Sequence, residues 1–242
     1  MKMLVPYVTA GVTGNWTDLL RAAVDAGADA IEVGLPFSDP TMDGPVIQQA
    51  SYQALCRGAH VTGLLDEVAG LDLGVPLIAF SYTNLVLHRG AGTFCAALRD
   101  AGLTGLIAPD LPIDEAGPVS VAAERHGVDL ILLASPSTPP SRRAEIAKRS
   151  QSFVYAVGVM APTGEQTSLG PSGRELVTSL KQHTDLPVVL GFGISGPDQA
   201  AAACAYADGV AVGSAVMRRV LDGATPAEIG ALLAGMRRAI DG

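Results

Sequence analysis

The chain is short of basic residues. Its 242 residues contain 16 Lys and Arg against 24 Asp and Glu, which gives a formal net charge of −8. This balance argues against nucleic acid or an anionic membrane surface as a partner. An anionic ligand would therefore have to be held by local devices, such as converging backbone N–H groups, rather than by a basic surface.

Cysteines and long apolar runs are scarce as well. The three cysteines, Cys56, Cys95 and Cys204, are scattered and odd in number. They form neither a metal-ligand spacing nor a disulfide framework, so we expect a reducing, cytoplasmic setting. No apolar run approaches the length of a membrane span, and the start of the chain carries too short an apolar run for a signal peptide. The histidines are dispersed, which leaves no Ser-His-Asp set.

Short apolar runs alternate with amphipathic helical patterns along the whole sequence. The runs are nearly continuous rather than strictly alternating, as expected when both faces of a parallel sheet are buried. Eight strand–helix repeats in this length predict a (β/α)8 TIM barrel forming a single domain over residues 1–242. The main alternative is a doubly wound sheet, but the turn at residues 11–14 (GVTG) is not its G-x-G-x-x-G pattern. The predicted strands cover residues 4–10, 28–35, 75–81, 105–108, 128–134, 152–157, 187–191 and 209–212.

Carboxylates cluster in and just after the second predicted strand. Glu32 lies inside an apolar run, where poor solvation should raise its pKa, and Asp43 lies in the loop that follows. Both are therefore acid–base candidates. The alternatives are that Glu32 pairs with a buried Lys or Arg, and that Asp43 is only a turn residue. For Asp39, which precedes a proline, the turn interpretation is the better one.

Other polar residues follow later strands, where a barrel keeps its site. Tyr82 follows strand three, Asp110 follows strand four, and Thr163 lies in the loop after strand six. Tyr82 has an alternative as a core aromatic with its hydroxyl satisfied. Asp110 could instead be structural, as a cap of the loop that precedes a helix predicted from Asp114 to His126.

Glycine-rich turns follow strands seven and eight, each opening a predicted helix. Barrels commonly bind phosphate at these two places, because glycine lets the backbone approach an anion and N-terminal N–H groups point at it. Gly193 with Ser195, and Gly213 with Ser214, fit this role. The alternative for each is a tight strand-to-helix turn with a serine cap.

Several stretches of the sequence together match the pattern of one known family. They are PYVTAG at residues 6–11, AGADAIEVGLPFSDP at 26–40, DGP at 43–45, IQ at 47–48, YTN at 82–84, GLIAPDLP at 105–112, GFGIS at 191–195 and VGSA at 212–215. The string E-x-G-x-P-F-S-D-P-x-x-D-G-P within them is highly specific. With these stretches the chain resembles the α subunit of tryptophan synthase over almost its whole length.

The resemblance implies a TIM barrel that cleaves indole-3-glycerol phosphate to indole and glyceraldehyde 3-phosphate in a retro-aldol reaction. It implies that Glu32 serves indole C3 and the glycerol hydroxyl, and that Asp43 holds the indole N–H. It implies neither a cofactor nor a metal for this chain. It implies a β subunit that carries pyridoxal phosphate as the partner. The implied indole pocket comprises Phe80, Tyr82, Ile107, Thr163 and Phe192. The implied phosphate site comprises Gly164, Gly193, Gly213 and Ser214.

Three departures from the family pattern bear on coupling to a β subunit. Leu4 already begins strand one, where relatives carry a preceding short helix. The usual Gly-Asp-Pro after that strand is Gly-Val-Thr at residues 11–13, and the lid sequence Ser-Arg-x-Gly-Val-Thr-Gly is GVMAPTG at residues 158–164. The retained carboxylates and glycine turns predict retained lyase chemistry. Two alternatives stay open: a non-catalytic partner that activates a β subunit, and another phosphate-binding barrel enzyme such as an isomerase or epimerase.

Overall fold

The computed structural model describes residues 1–158, 171–191 and 193–242. Within these ranges the strands form one all-parallel sheet in the order β5-β4-β3-β2-β1-β9-β8-β7-β6. The strands are β1 Met3–Thr9, β2 Ile31–Gly34, β3 Leu77–Phe80, β4 Leu103–Ile107, β5 Asp129–Ile131, β6 Leu133–Ala134, β7 Val154–Val157, β8 Val188–Gly191 and β9 Gly209–Val212.

The two ends of this sheet meet in the chain, which closes the barrel. β5 pairs with β4 and β6 pairs with β7, and the single residue Leu132 separates β5 from β6. The backbone N–H of Leu132 donates to Ser150 Oγ at 3.0 Å, so a side chain takes the place of a backbone acceptor there. Tyr155 N still donates to Leu132 O at 3.0 Å. β5 and β6 therefore act as one barrel strand, and the predicted (β/α)8 barrel is confirmed.

Helices surround the barrel in the described part of the chain. The short α4, directly after β3, was not predicted. The helix expected from Asp114 begins at Gly117, because residues 113–115 form a 3-10 turn and Asp114 pairs with Arg142. The helices are α1 Trp16–Asp25, α2 Pro45–Cys56, α3 Val61–Val68, α4 Thr83–His88, α5 Ala91–Asp100, α6 Gly117–His126, α7 Pro140–Arg149, α8 Pro171–Lys181, α9 Pro197–Cys204, α10 Ser214–Leu221 and α11 Pro226–Asp241.

Apolar side chains fill two layers. A large cluster packs the helices onto the outside of the sheet, and a smaller one plugs the barrel interior. The interior plug leaves only the carboxyl-terminal rim of the strands for ligands, as in other barrels. None of the described helices combines the length and apolar character that crossing a bilayer requires. The interior cluster consists of Val5, Ala30, Ile78, Ile107, Ile131, Phe153, Tyr155, Val189 and Ala211.

Candidate active site

Neighbouring strands bring the predicted site residues onto one arc of the rim. Gly191 at the end of β8 is in register with Ala211 of β9, whose other neighbour is β1. On β1, Tyr7 is in register with Glu32 of β2. Gly34 at the end of β2 is in register with Phe80 of β3. The arc therefore runs from the two glycine-rich turns, past Tyr7, to Glu32 and the β3 exit.

Glu32 is a carboxylic acid held in a dry setting. Only 1% of it is exposed, and Oε1 has no hydrogen-bond partner among the described residues. Burial raises the pKa of Glu32 to about 8, since the charged form is disfavoured away from water. No Lys or Arg pairs with it within the described ranges. The structure thus favours the acid–base interpretation over a buried ion pair.

Asp43 sits in the β2–α2 loop and is held by Tyr82. Burial raises the pKa of Asp43 to about 6, and the hydrogen bond from Tyr82 lowers it in part. The Tyr82 hydroxyl donates to Asp43 Oδ2 at 2.8 Å and accepts from Met42 N at 3.0 Å. Its ring stacks on Phe37 at a centroid distance of 5.2 Å. Tyr82, 3% exposed, therefore fixes the loop and the carboxylate rather than standing free for substrate.

The other acidic residues near the site have structural partners. Asp39 is exposed, its carbonyl accepts from Thr41 N at 2.8 Å, and its carboxylate accepts from Ser38 Oγ. This is turn chemistry, as expected for that position. Asp110 Oδ1 accepts from Thr83 N at 2.8 Å and from Thr83 Oγ1 at 2.9 Å. Asp110 thus caps α4 from the neighbouring strand, whereas the sequence suggested a cap for its own loop.

The predicted indole pocket is described only in part. Phe80 is partly buried and meets the Tyr7 ring edge-on at a centroid distance of 5.6 Å. Ile107 is fully buried in the interior cluster and lies beneath the rim, so it forms the floor of the site. The predicted substrate contacts Thr163 and Phe192, and the predicted phosphate ligand Gly164, lie outside the described residues.

The two glycine turns differ in how far their donors are already used. Ser195 N donates to Gln199 Oε1 at 2.9 Å, and the Ser195 hydroxyl donates to the same oxygen. Both donors of Ser195 are therefore used by the Gln199 side chain of α9, while Gly193, at φ +81°, shapes the turn. Gly213 precedes α10 without a capping side chain, and Ser214 begins that helix. The α10 N-terminus is the better candidate for an anion.

Comparison with known proteins agrees with this geometry. Residues 1–232 match the family model described as tryptophan synthase alpha chain. The tryptophan synthase alpha chain of Picosynechococcus sp. is 46% identical over 231 residues, which cover 93% of this chain and 87% of that protein. This chain belongs to the tryptophan synthase alpha chain family. The lyase identification drawn from the motifs is thereby confirmed at the level of the family.

Solved structures of the family share the fold. Tryptophan synthase subunit alpha from Legionella pneumophila superposes with a TM-score of 0.88 at 35% identity, over 99% of this chain and 93% of that one. Tryptophan synthase from Mycobacterium tuberculosis gives a TM-score of 0.90 at 37% identity, over 99% and 92% of the two chains. In this member of the alpha chain family, the divergent lid sequence begins at Gly158, and the part after Gly158 lies outside the described residues.

Two buried tyrosines at the rim were missed by sequence reasoning. A Cβ on Gly34 would lie 2.0 Å from the Tyr7 hydroxyl, and a Cβ on Gly191 would lie 2.2 Å from the Tyr155 hydroxyl. Each phenol therefore lies across the glycine of the next strand, and burial raises the pKa of both tyrosines. Only the register reveals this placement, because in sequence both tyrosines look like ordinary strand aromatics.

Metal ligands do not gather in the described part of the chain. No three His, Cys, Asp or Glu side chains there converge as a metal site requires. The site is instead built from two carboxylic acids of different environments, phenol hydroxyls and an uncapped helix end. These groups can exchange protons with a substrate and can hold an anion at its far end.

Proposed function

We propose that this protein cleaves indole-3-glycerol phosphate to indole and glyceraldehyde 3-phosphate, with Glu32 and Asp43 as its catalytic residues. The observation that carries the assignment is the contrast between the two carboxyl groups. Glu32 is dry, and its pKa is raised to about 8, while Asp43 is held by a phenol, and its pKa is about 6. Near pH 7 the first is therefore mostly protonated and the second mostly ionised, which separates their roles.

The first step is protonation of the indole ring. Glu32, as the neutral acid, donates its proton to C3 of the ring, which turns the ring into an electron acceptor. The positive charge that develops on the ring nitrogen is stabilised by the Asp43 carboxylate, which accepts the indole N–H. Tyr82 occupies Asp43 Oδ2, so Oδ1 is the oxygen open to the substrate. Charge stabilisation by a preorganised group of this kind is a large part of catalysis.

The second step breaks the carbon–carbon bond. Glu32, now a carboxylate, removes the proton of the glycerol hydroxyl on the carbon attached to C3. The O–H electrons form the aldehyde carbonyl, and the electrons of the broken C–C bond return to the ring. This releases neutral indole and glyceraldehyde 3-phosphate and leaves Glu32 protonated for the next cycle. One residue thus acts first as acid and then as base.

We assign the phosphate group to the turns after β8 and β9. The free N–H groups at the start of α10 and the glycines Gly193 and Gly213 allow close approach of an anion. Because β9 is hydrogen-bonded to β1, and β1 to β2, the phosphate end and Glu32 are separated by one strand. At roughly 4.8 Å between neighbouring strands, this spacing suits the length of a glycerol phosphate tail.

Indole release by the purified chain tests the assignment. We expect Glu32→Gln to abolish turnover, and Asp43→Asn to lower kcat by roughly 100-fold or more because it removes a charge from the developing cation. Glu124→Gln and Asp72→Asn are the matched controls, since both side chains are exposed and lie away from the rim. Undiminished activity in Glu32→Gln would overturn its catalytic role.

We propose a β subunit of tryptophan synthase as the partner of this chain. Two large apolar side chains are exposed on the rim side: Met42, beside Asp43, is 54% exposed, and Leu87 on α4 is 50% exposed. Single exposed apolar residues are common on protein surfaces, so it is the position of these two on the rim side, beside the proposed site, that makes them candidates for the contact. The Met42 N–H is bound to Tyr82, so a partner that presses on this loop would reach Asp43 through that bond.

Adding a purified β subunit to the indole-release assay tests the partnership. We expect stimulation of turnover by the wild type and loss of that stimulation in Leu87→Glu, with activity of the isolated chain unchanged. Val121→Glu is the control, because Val121 is also exposed but lies on α6. No turnover in isolation, together with strong stimulation of the β subunit, would instead support a non-catalytic activator. The two shifted carboxyl groups argue against that alternative.

A further inference from the structure

Two unmatched hydrogen-bonding groups face each other across β1 and β2. Glu32 Oε1 is a buried acceptor with no partner among the described residues. Tyr7, the register neighbour of Glu32, has a hydroxyl whose oxygen accepts from Thr9 Oγ1 at 3.4 Å. The Tyr7 O–H proton has no acceptor within the described ranges. A buried polar group without a partner is unfavourable, so each group is ready for a ligand.

The two groups belong to residues in register on neighbouring strands but do not bond. Residues in register on adjacent parallel strands point to the same side of the sheet, here the barrel interior, where Val5 of β1 and Ala30 next to β2 also lie. No hydrogen bond joins Tyr7 and Glu32 in the described structure. The Tyr7 hydroxyl instead reaches to Gly34, two residues beyond Glu32, where a Cβ would lie only 2.0 Å away. The phenol is thus held above the carboxyl group, at the exit of the strand.

A substrate hydroxyl would satisfy both groups at once. A hydroxyl group donates one hydrogen bond and accepts others, and here Glu32 supplies the acceptor and Tyr7 the donor. We propose that Tyr7 is a catalytic residue that donates a hydrogen bond to the substrate hydroxyl whose proton Glu32 removes. This inference rests on the proposed lyase activity and extends it to a group that the sequence motifs did not single out.

The donor would act on the carbon–carbon bond-breaking step. As Glu32 takes the hydroxyl proton, negative charge grows on that oxygen before the C=O bond is complete, and a fixed O–H donor stabilises it. Tyr7 transfers no proton, so the atoms and electrons of the reaction are unchanged. Burial and the nearby Asp43 and Glu32 charges raise the pKa of Tyr7 well above its usual value, which keeps the phenol protonated as a donor.

Tyr7 is also well fixed for this role. On one side, its ring meets the Phe80 ring edge-on. On another side lies Gly213 in the turn after β9, where an added Cβ would be 3.5 Å from the Cβ of Tyr7. Tyr7 therefore spans the gap between the assigned phosphate end and Glu32. A rigid donor needs no reorganisation at the moment of reaction, which is what makes such groups effective.

Tyr7→Phe tests the proposal, since it removes only the hydroxyl. We expect kcat/KM for indole-3-glycerol phosphate to fall roughly 100-fold or more, mainly through kcat, as for the loss of one oxyanion-hole donor. Tyr206→Phe is the matched control. Its hydroxyl is also buried without a described partner, but it lies beside Arg174 outside the barrel interior, and we expect wild-type kinetics.

A binding measurement separates catalysis from packing. The analogue 3-(indol-3-yl)propyl phosphate keeps the ring and the phosphate but lacks both glycerol hydroxyls. We expect its Kd to change by less than about twofold in Tyr7→Phe, because the lost bond is made to a group that the analogue does not have. This measurement also shows that the variant is folded.

Two results would overturn the role of Tyr7. One is a kcat/KM within about twofold of wild type, and the other is an analogue Kd weakened by the same factor as kcat/KM, which would mean that the phenol only packs against the ring. Both results leave the lyase assignment intact. By contrast, failure of the wild type to release indole would overturn the proposed function and this inference with it.

Discussion

At the scale of single residues, the environment of each carboxyl group decides its chemistry. Glu32 and Asp43 are eleven positions apart and of similar intrinsic acidity. Burial acts almost alone on Glu32, whereas on Asp43 the hydrogen bond from Tyr82 opposes it. Removal from water thus raises both pKa values, and the donor that only Asp43 receives helps to keep its pKa the lower of the two.

The pH dependence of turnover should follow these two values. In the proposed mechanism, Asp43 must be ionised to hold the indole N–H, and Glu32 must be protonated to act on C3. We therefore expect a bell-shaped kcat/KM profile with an acidic limb near pH 6 and an alkaline limb near pH 8. Tyr82→Phe removes the bond that lowers the pKa of Asp43, so it should move the acidic limb upward and leave the alkaline limb in place. A Tyr82→Phe profile identical to that of wild type would contradict the role given to Tyr82. Tyr52→Phe is the control, because Tyr52 is exposed.

Glu32 should also make the protein less stable as pH rises. Its folded pKa of about 8 lies above the ordinary value of 4.5, so the folded state binds the proton more tightly. Its contribution to stability is fully present below pH 4.5 and is lost as pH rises through 8. Relative to Glu32→Gln, wild type should therefore lose roughly 3–5 kcal/mol across this range.

Denaturant unfolding at several pH values measures this difference. Trp16 is the only tryptophan of the sequence and is buried, so its fluorescence reports global unfolding. Glu124→Gln is the control, and its stability should track that of wild type at every pH. If the difference in unfolding free energy between wild type and Glu32→Gln does not change with pH, Glu32 is not shielded from water as the structure describes.

At the scale of elements, the short helix α4 connects the ends of β3 and β4 with the loop that carries Asp43. Thr83, its first residue, is capped by Asp110 from the end of β4. Tyr82, the residue before it, binds Asp43 in the loop after β2. Asp110 therefore positions Asp43, a proposed catalytic residue, from two strands away, although it does not touch Asp43 itself.

Replacing Asp110 should weaken catalysis through this link. We expect Asp110→Ala to destabilise the protein by about 1 kcal/mol, as for loss of a helix cap, and to lower kcat/KM by roughly tenfold. Asp110→Asn keeps an oxygen for Thr83 N and should retain most activity. The pH profile of kcat/KM distinguishes a positioning role from a purely structural one. If Asp110 positions Tyr82 and Asp43, the acidic limb of Asp110→Ala moves to higher pH. An acidic limb at the wild-type pH would show that Asp110 only caps α4.

At the scale of the whole molecule, the two ends of the barrel have different tasks. The carboxyl-terminal rim carries the candidate site, and the amino-terminal end is tied together by Arg237 of α11. Its guanidinium, 13% exposed, donates to Asp29 Oδ2 at 2.8 Å, to Lys2 O at 2.7 Å and to Asp241. Asp29 Oδ2 in turn accepts from Leu4 N at 2.8 Å. These bonds join the last helix to β1 and to the start of β2, far from the rim.

Arg237→Ala should therefore affect stability and leave the chemistry alone. We expect a loss of about 2–3 kcal/mol in the free energy of unfolding, because Asp29 keeps a part-buried charge without its partner. The kcat/KM of the folded fraction should match wild type, as residues at this end of a barrel serve stability. Arg238→Ala, an exposed neighbour, is the control. A large drop in kcat/KM without loss of stability would contradict this division.

The sequence by itself determined the barrel, the two carboxylates and the glycine turns. Each of these is a local signal: a continuous apolar run, a charge within such a run, or a glycine directly after one. Their physical causes, burial of both sheet faces and the conformational freedom of glycine, act over a few residues. The family motif strengthened the same points because it lies in those stretches.

Tertiary structure alone decided how these pieces meet. The bond from Tyr82 to Asp43, the cap of Asp110 on Thr83 and the packing of the Tyr7 hydroxyl against Gly34 each join residues that lie in, or directly after, different strands. Such contacts depend on strand register, and a slip of one residue turns every side chain to the other face. Register is set by packing across the whole barrel, so no stretch of sequence contains it, and the third group of the candidate site, Tyr7, became visible only once β1 lay beside β2.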